Sequence, residues 1–168
     1  MHDAHTSIVP CGKCVLCYRR RQNSWVFRLV QESKVSTSSC FLTLTYEIEP
    51  LSFNGHPTLK KSDYQNFMKR LRKKLPPSTV KYYACGEYGT KTLRPHYHAI
   101  MFNLPQKYIS DPTVINDLWG HGHVMVMPCT EGTIRYVTKY VMKGRFEPLT
   151  DCDDRLPEFS LMSKKNGT

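Results

Sequence analysis

The chain has 168 residues, 24 Lys+Arg against 14 Asp+Glu, and a formal charge of +10. That length suits one domain with a real core, and no apolar run in it is long enough to span a bilayer. The positive balance suits a polyanionic partner, nucleic acid foremost. The opening MHDAHTSIVP is polar and lacks the apolar centre of a secretion signal, so seven cysteines read as reduced thiols or metal ligands in a cytoplasm-like compartment, not as a disulfide framework.

Near the start, CGKCVLC places Cys11, Cys14 and Cys17 at two successive C-x-x-C spacings. Three thiolates so placed can share a structural Zn²⁺, for which His2, His5, Cys40, Cys85, Cys129 or Cys152 could supply a fourth ligand. An iron–sulfur cluster and simple apolar packing at a helix start are the alternatives. Residues 18–33 follow with Tyr18, Trp25 and Leu29 at helical intervals and Arg19, Arg20, Arg21 and Arg28 around them, a basic cluster for phosphates or a solvated helix face.

CFLTLTY, residues 40–46, alternates as a strand, with Phe41, Thr43 and Thr45 on one side and Leu42 and Leu44 on the other. A loop with Pro50, Asn54-Gly55 and Pro57 comes next. Ser62 is expected to cap a helix whose apolar stripe is Tyr64, Phe67, Met68, Leu71 and Leu75 and whose outer face carries Lys69, Arg70, Arg72 and Lys73, candidates for DNA contact; Pro76-Pro77 stops it. VKYYACGE, residues 80–87, is a second strand joined by the turn YGTKTLRP to a third, LRPHYHAIMF. Asp111-Pro112 opens a helix with Val114, Ile115, Leu118 and Trp119 on its buried side, ended by Gly120. HVMVM, residues 123–127, is a fourth strand. Thr130 caps EGTIRYVTKYVMK, which Gly144 closes. Residues 145–168 read as a loosely packed polar tail. The division is thus 1–17 Cys-rich segment, 18–144 catalytic domain and 145–168 tail. The fold class is α+β: a single domain whose antiparallel sheet has the split-βαβ, ferredoxin- or RRM-like order, flanked by an N-terminal helix and a C-terminal tyrosine helix. Its connecting helices lie on one face, leaving the other free for a ligand.

Two constellations carry chemistry. His96 and His98 leave one face of their strand while Tyr97, Ala99 and Met101 leave the other, so two imidazoles stand together as half of a metal site, unless they are ordinary surface histidines. Glu87, across the hairpin, is the candidate third ligand; its alternatives are capping the turn or pairing with Arg94. A His₂-carboxylate set with open positions suits Mn²⁺ or Mg²⁺. Second, YVTKYVMK is Y-x-x-K written twice, stacking Tyr136 and Tyr140 on one helix face, with Lys139 and Lys143 beside them and Ile134, Val137 and Val141 opposite. If they are not plain surface tyrosines, phenols near ammonium groups and a metal suit nucleophilic attack on a phosphodiester.

HYH followed by a YxxKYxxK helix resembles the HUH endonucleases. PCGKCVLC, RRRQNSWVFRL, FLTLTY, GEYGTKTLRPHYHAIMF, LWGHGHVMV and YVTKYVMK, in that order from Pro10 to about Lys143, are similar in particular to replication initiators of microviruses of the gokushovirus branch. The resemblance implies rolling-circle initiation on single-stranded DNA at the viral origin in the host cytoplasm. His96, His98 and Glu87 would hold the metal, and Tyr136 and Tyr140 would form 5′-phosphotyrosine links in turn. Host helicase and polymerase are the implied further partners, though little sequence follows Gly144, where such initiators often run longer. The alternative from another class is a non-catalytic RRM-like module stacking bases on Tyr46, Tyr83 or Tyr97.

Overall fold

A computed structural model describes residues 9–75, 80–139 and 150–163. Its elements, in chain order, are α1 (Val15–Val35), β1 (Ser39–Thr45), α2 (Lys61–Lys74), β2 (Lys81–Tyr88), β3 (Pro95–Phe102), α3 (Gln106–Ser110), α4 (Thr113–Trp119), β4 (Val124–Pro128), α5 (Glu131–Thr138) and β5 (Phe159–Met162). The sheet has the order β4-β1-β3-β2-β5 and every pairing is antiparallel. Its first four strands are the split-βαβ set expected from the sequence. Pro76, Pro77, Tyr140, Lys143, Gly144, His2 and His5 lie outside the described residues.

The alternation in β1 and β3 sorts side chains between two cores. Leu42, Leu44, Tyr97, Ala99 and Met101 point to the face covered by α2 and α4, where they join Tyr64, Phe67, Met68, Leu71, Ile115 and Trp119. The expected α2 stripe is buried as a unit because its members recur at three and four residues. Phe41, Tyr83, Cys85, Ile100 and Phe102 point to the other face, and that face is not free: Val26 and Leu29 of α1 and Ile134 and Val137 of α5 pack on it. The apolar content of α1 is low, but two residues and the buried Glu32, paired with Lys81 at 2.8 Å, are enough to seat it.

Helix ends depart from expectation at two places. Ser62 lies inside α2; the N-cap is Lys60, without a side-chain cap, and its position is fixed instead by the Tyr97 hydroxyl, which accepts from Lys60 N at 3.0 Å. At α4 the N-cap is Pro112, while the Asp111 carboxylate accepts from Thr113 N and Oγ1 at 3.1 and 2.7 Å. Thr130 does cap α5, in a reciprocal box with Thr133, and Gly120 ends α4 at φ 64°.

The expected loose tail is, over residues 150–163, part of the fold. Phe159–Met162 pairs with Tyr83–Gly86 of β2. Ahead of it, Asp153 and Arg155 form a buried ion pair at 2.7 Å, the Tyr88 hydroxyl donates to Leu156 O, and Asp154 accepts from Ser52 and from Asn54 N. Gly86 leaves the notch that this strand needs, since a Cβ there would meet Leu59 Cδ2 and Phe159 Cζ, both at 3.0 Å.

Candidate active site

The β2–β3 hairpin sets Glu87 directly opposite His96 and Cys85 opposite His98. The turn that makes this register closes through Gly89 N to Arg94 O and Leu93 N to Gly89 O, with Leu93 at φ 54°. Glu87, His96 and His98 therefore project from one face, His98 diagonal to the carboxylate. Glu87 Oε1 lies 2.7 Å from His96 Nε2 and 3.1 Å from His98 Nε2. The three ligand atoms fall within 4.8 Å of one another. Glu87 does not pair with Arg94, whose partner is Glu49.

The far ring nitrogens are held as well. His96 Nδ1 is 3.0 Å from Arg94 O, an acceptor only, so Nδ1 carries the proton and the neutral ring turns a lone pair on Nε2 toward Glu87. His98 Nδ1 is 3.0 Å from Thr43 Oγ1, the residue opposite it on β1. Burial alone would raise the Glu87 carboxyl, but the hydrogen bonds with His96 and His98 outweigh it and bring the value down to about 2. For His96, burial works downward, and the Glu87 contact and the Arg94 carbonyl carry the net shift upward.

From α5 the Tyr136 hydroxyl donates to the same Glu87 oxygen at 2.9 Å. The tyrosine is 38% exposed, off the Ile134–Val137 stripe as its periodicity requires. Lys139 Nζ lies 3.8 Å from the centre of its ring. Burial first, and then the Glu87 charge, push the phenol upward. The second tyrosine–lysine pair, Tyr140 and Lys143, falls outside the described residues. Glu87 is 3% exposed, and its other oxygen, Oε2, is buried with no hydrogen-bond partner among the described residues. A buried, ionised carboxylate with one bare oxygen, beside two imidazole nitrogens, is a donor set short of a cation. The residues fit a divalent metal.

Thr43, which orients His98, is a site residue that sequence reading missed; the alternation of β1 with β3 was the available signal. The basic residues divide between two surfaces. Arg19, Arg20 and Arg21 are exposed on α1, on the side of the sheet that carries the triad. Lys69, Arg70, Arg72 and Lys73 are on α2, behind the sheet. Arg70 donates to Leu118 O and Trp119 O, the last carbonyls of α4, and Arg72 lies over the Tyr82 ring at 5.6 Å, so both are engaged within the fold. Tyr46, Tyr83 and Tyr97, the bases' expected stacking partners in an RRM-like module, are 4%, 0% and 0% exposed, so a base cannot reach them in this fold. Among the described residues no helix is long and apolar enough to cross a membrane.

Fold and site together define an α+β protein with a candidate metal triad and an adjoining phenol. Residues 39–145 match a family model of replication-associated proteins of the ORF2 type, well over half of the chain, and the chain belongs to that family. It is 34% identical to Replication-associated protein VP4 of Bdellovibrio phage phiMH2K, covering 80% of this chain and 48% of that protein. It is 35% identical to Replication-associated protein ORF2 of Spiroplasma virus 4 with the same coverage, and 30% identical to Replication-associated protein ORF4 of Chlamydia phage 1, covering 80% of this chain and 38% of that protein. The chain thus spans about half the length, or less, of these curated relatives. No solved structure matches it.

Proposed function

We propose that this protein is a metal-dependent nicking and rejoining endonuclease of HUH type, acting on single-stranded DNA at a phage origin to start rolling-circle replication. The observation that carries the reading is the meeting of His96 Nε2, His98 Nε2 and the Tyr136 hydroxyl on one oxygen of Glu87. Membership in a family named for replication agrees with it.

Glu87, His96 and His98 would hold Mn²⁺ or Mg²⁺, which when bound supplies Lewis-acid polarisation of a non-bridging phosphate oxygen and offsets the Glu87 charge that keeps the phenol protonated. Tyr136 Oη attacks phosphorus in line. The Tyr–O–P bond forms, the bond from phosphorus to the 3′ oxygen breaks, the phenol gives up its proton, and the leaving 3′ oxygen takes one. Lys139 favours the phenolate through its position against the ring. Thr43 and the Arg94 carbonyl keep the two imidazoles turned inward. Arg19, Arg20 and Arg21 provide a phosphate path on this side of the sheet, with Lys69 and Lys73 a separate basic surface behind it. Tyr140 and Lys143 repeat the first pair one turn on and serve as the second nucleophile and its cation, resealing the unit-length strand. Residues 18–144 form the catalytic unit, with β5 completing its sheet, in the host cytoplasm. Helicase and polymerase of the host act on the freed 3′ end.

The test is incubation of the full chain with a single-stranded origin oligonucleotide and Mn²⁺. A covalent protein–DNA band on a denaturing gel, mapped to Tyr136 or Tyr140 and lost in the Tyr136→Phe/Tyr140→Phe variant, is expected. Binding without any covalent band would overturn the proposal in favour of a non-catalytic single-strand binding module.

A further inference from the structure

The cysteine motif at the start of α1 takes no part in the site above, and its thiols converge. Cys11 Sγ lies 3.8 Å from Cys17 Sγ, Cys14 N is 3.4 Å from Cys11 Sγ, and all three sulfurs fall within 4.8 Å of one another. Two thiolates bound to one tetrahedral zinc at ~2.3 Å stand about 3.8 Å apart, the separation of Cys11 and Cys17. Gly12, at φ 72°, supplies the left-handed turn that folds Cys11 back over the helix start.

The surroundings favour thiolate. Cys14 is the N-cap of α1 and makes no side-chain cap, and the first turn holds no acidic residue, so the positive end of a 21-residue helix is left without a compensating anion. Backbone N–H groups of Lys13 and Cys14 bring the Cys11 thiol down to about 7. For Cys17 the Gly12 backbone works downward, but its two thiol neighbours and burial carry it up, the mark of anions that cannot all ionise together without a cation between them. Among the described residues no fourth His, Cys, Asp or Glu joins the cluster.

We infer that Cys11, Cys14 and Cys17 bind one Zn²⁺ as three thiolates at the N-terminus of α1, a structural site separate from the Glu87–His96–His98 triad. The three thiol protons are released as the Zn–S bonds form, and no redox change occurs. Its consequence for the fold is local: it clamps the first turn of the helix that packs on α5, where Gln22 Nε2 donates to Arg135 O beside Tyr136.

The test uses the full chain and does not depend on nicking. In the His96→Ala/His98→Ala variant, which removes the other metal site, zinc should remain at one per chain after purification without added metal. Adding Cys11→Ser, Cys14→Ser and Cys17→Ser should bring it to none. Should the Ser variant fail to fold, the wild-type cysteines still decide. Replacing the bound metal by Co²⁺ should give the intense near-ultraviolet absorption of thiolate-to-cobalt charge transfer, and a strong chelator should make three further thiols reactive and speed amide exchange in the first turn of α1 about tenfold. Zinc content unchanged by the Ser substitutions, cobalt binding without charge transfer, bound iron in place of zinc, or a Cys11–Cys17 disulfide in freshly isolated protein would each overturn the inference.

Discussion

The sheet carries polar groups on both faces, and the two faces treat them differently. Toward α2 and α4, each has a partner in the fold. The Tyr97 hydroxyl sits among Lys60 N, Lys60 O and the Tyr46 hydroxyl at 3.0, 2.9 and 2.7 Å, Tyr46 donates to Asp63 at 2.9 Å, and Trp119 Nε1 donates to Thr45 O at 2.8 Å. Toward α1 and α5, two imidazole nitrogens and a phenol crowd one carboxylate oxygen, while the other oxygen has no partner among the described residues. Adjacent residues of one strand, Tyr97 and His98, therefore belong to opposite regimes. Polar groups that satisfy one another hold a fold together; polar groups left short of a partner point to something the protein has yet to bind.

Substitutions should separate the two faces. The largest effect is expected from Glu87→Gln, which keeps the shape and removes the charge shared by three groups. Adduct formation with an origin oligonucleotide should fall on the order of 10²–10³-fold, as when one preorganised electrostatic group is removed, with the far-ultraviolet dichroism unchanged; a variant as active as wild type would remove the triad from the chemistry. On the other face, Trp119→Ala should cost about 3–5 kcal/mol in urea denaturation, since the ring is wholly buried, while the activity per folded molecule persists. Tyr97→Phe should cost about 1–3 kcal/mol by leaving Lys60 N and its neighbours short of a partner, again with chemistry intact. Loss of nicking in either at full folding would mean that the faces are coupled.

The smallest effect is one of pH, read on metal-free protein. Glu87 is held down at about 2, so its contribution is present above its unfolded value near 4.5 and fades as pH falls toward 2. His96 is shifted up from 6.5, so its contribution is complete below 6.5 and is lost as pH rises through the folded value. Both act together from about 4.5 to 6.5. The melting temperature of chelator-treated protein should peak there relative to Glu87→Gln, and a difference constant from about pH 3 to 8 would show that the pair carries no linkage.

Much of this was legible because it is local. The α2 stripe, the hairpin and the shared face of His96 and His98 follow from periods of about 3.6 and 2 within one element, and Glu87 needed only a short turn. What was illegible depends on distant partners. FSLM is too short, and its surroundings too polar, to announce a strand; it becomes one because β2 offers an open edge and Gly86 a notch for Phe159. Arg70 reads as a phosphate contact until α4 ends against it. The face expected to lie open is covered because two apolar positions of α1 suffice once Phe41, Ile100 and Phe102 present a surface to them.

The hairpin that supplies all three metal-type ligands has a consequence for the order in which the protein assembles. Glu87 is nine residues from His96 and eleven from His98, whereas Tyr136 comes from 49 residues downstream of Glu87. Closing a short hairpin takes microseconds, and each longer closure adds entropy to overcome before its contacts form. The triad can thus gather before α5 docks, and the nucleophile is the last part to arrive. Truncating Val137 should then speed unfolding and leave folding nearly unchanged, while loosening the Gly89–Arg94 turn should slow folding itself. A chain caught between those stages would hold metal and cut nothing.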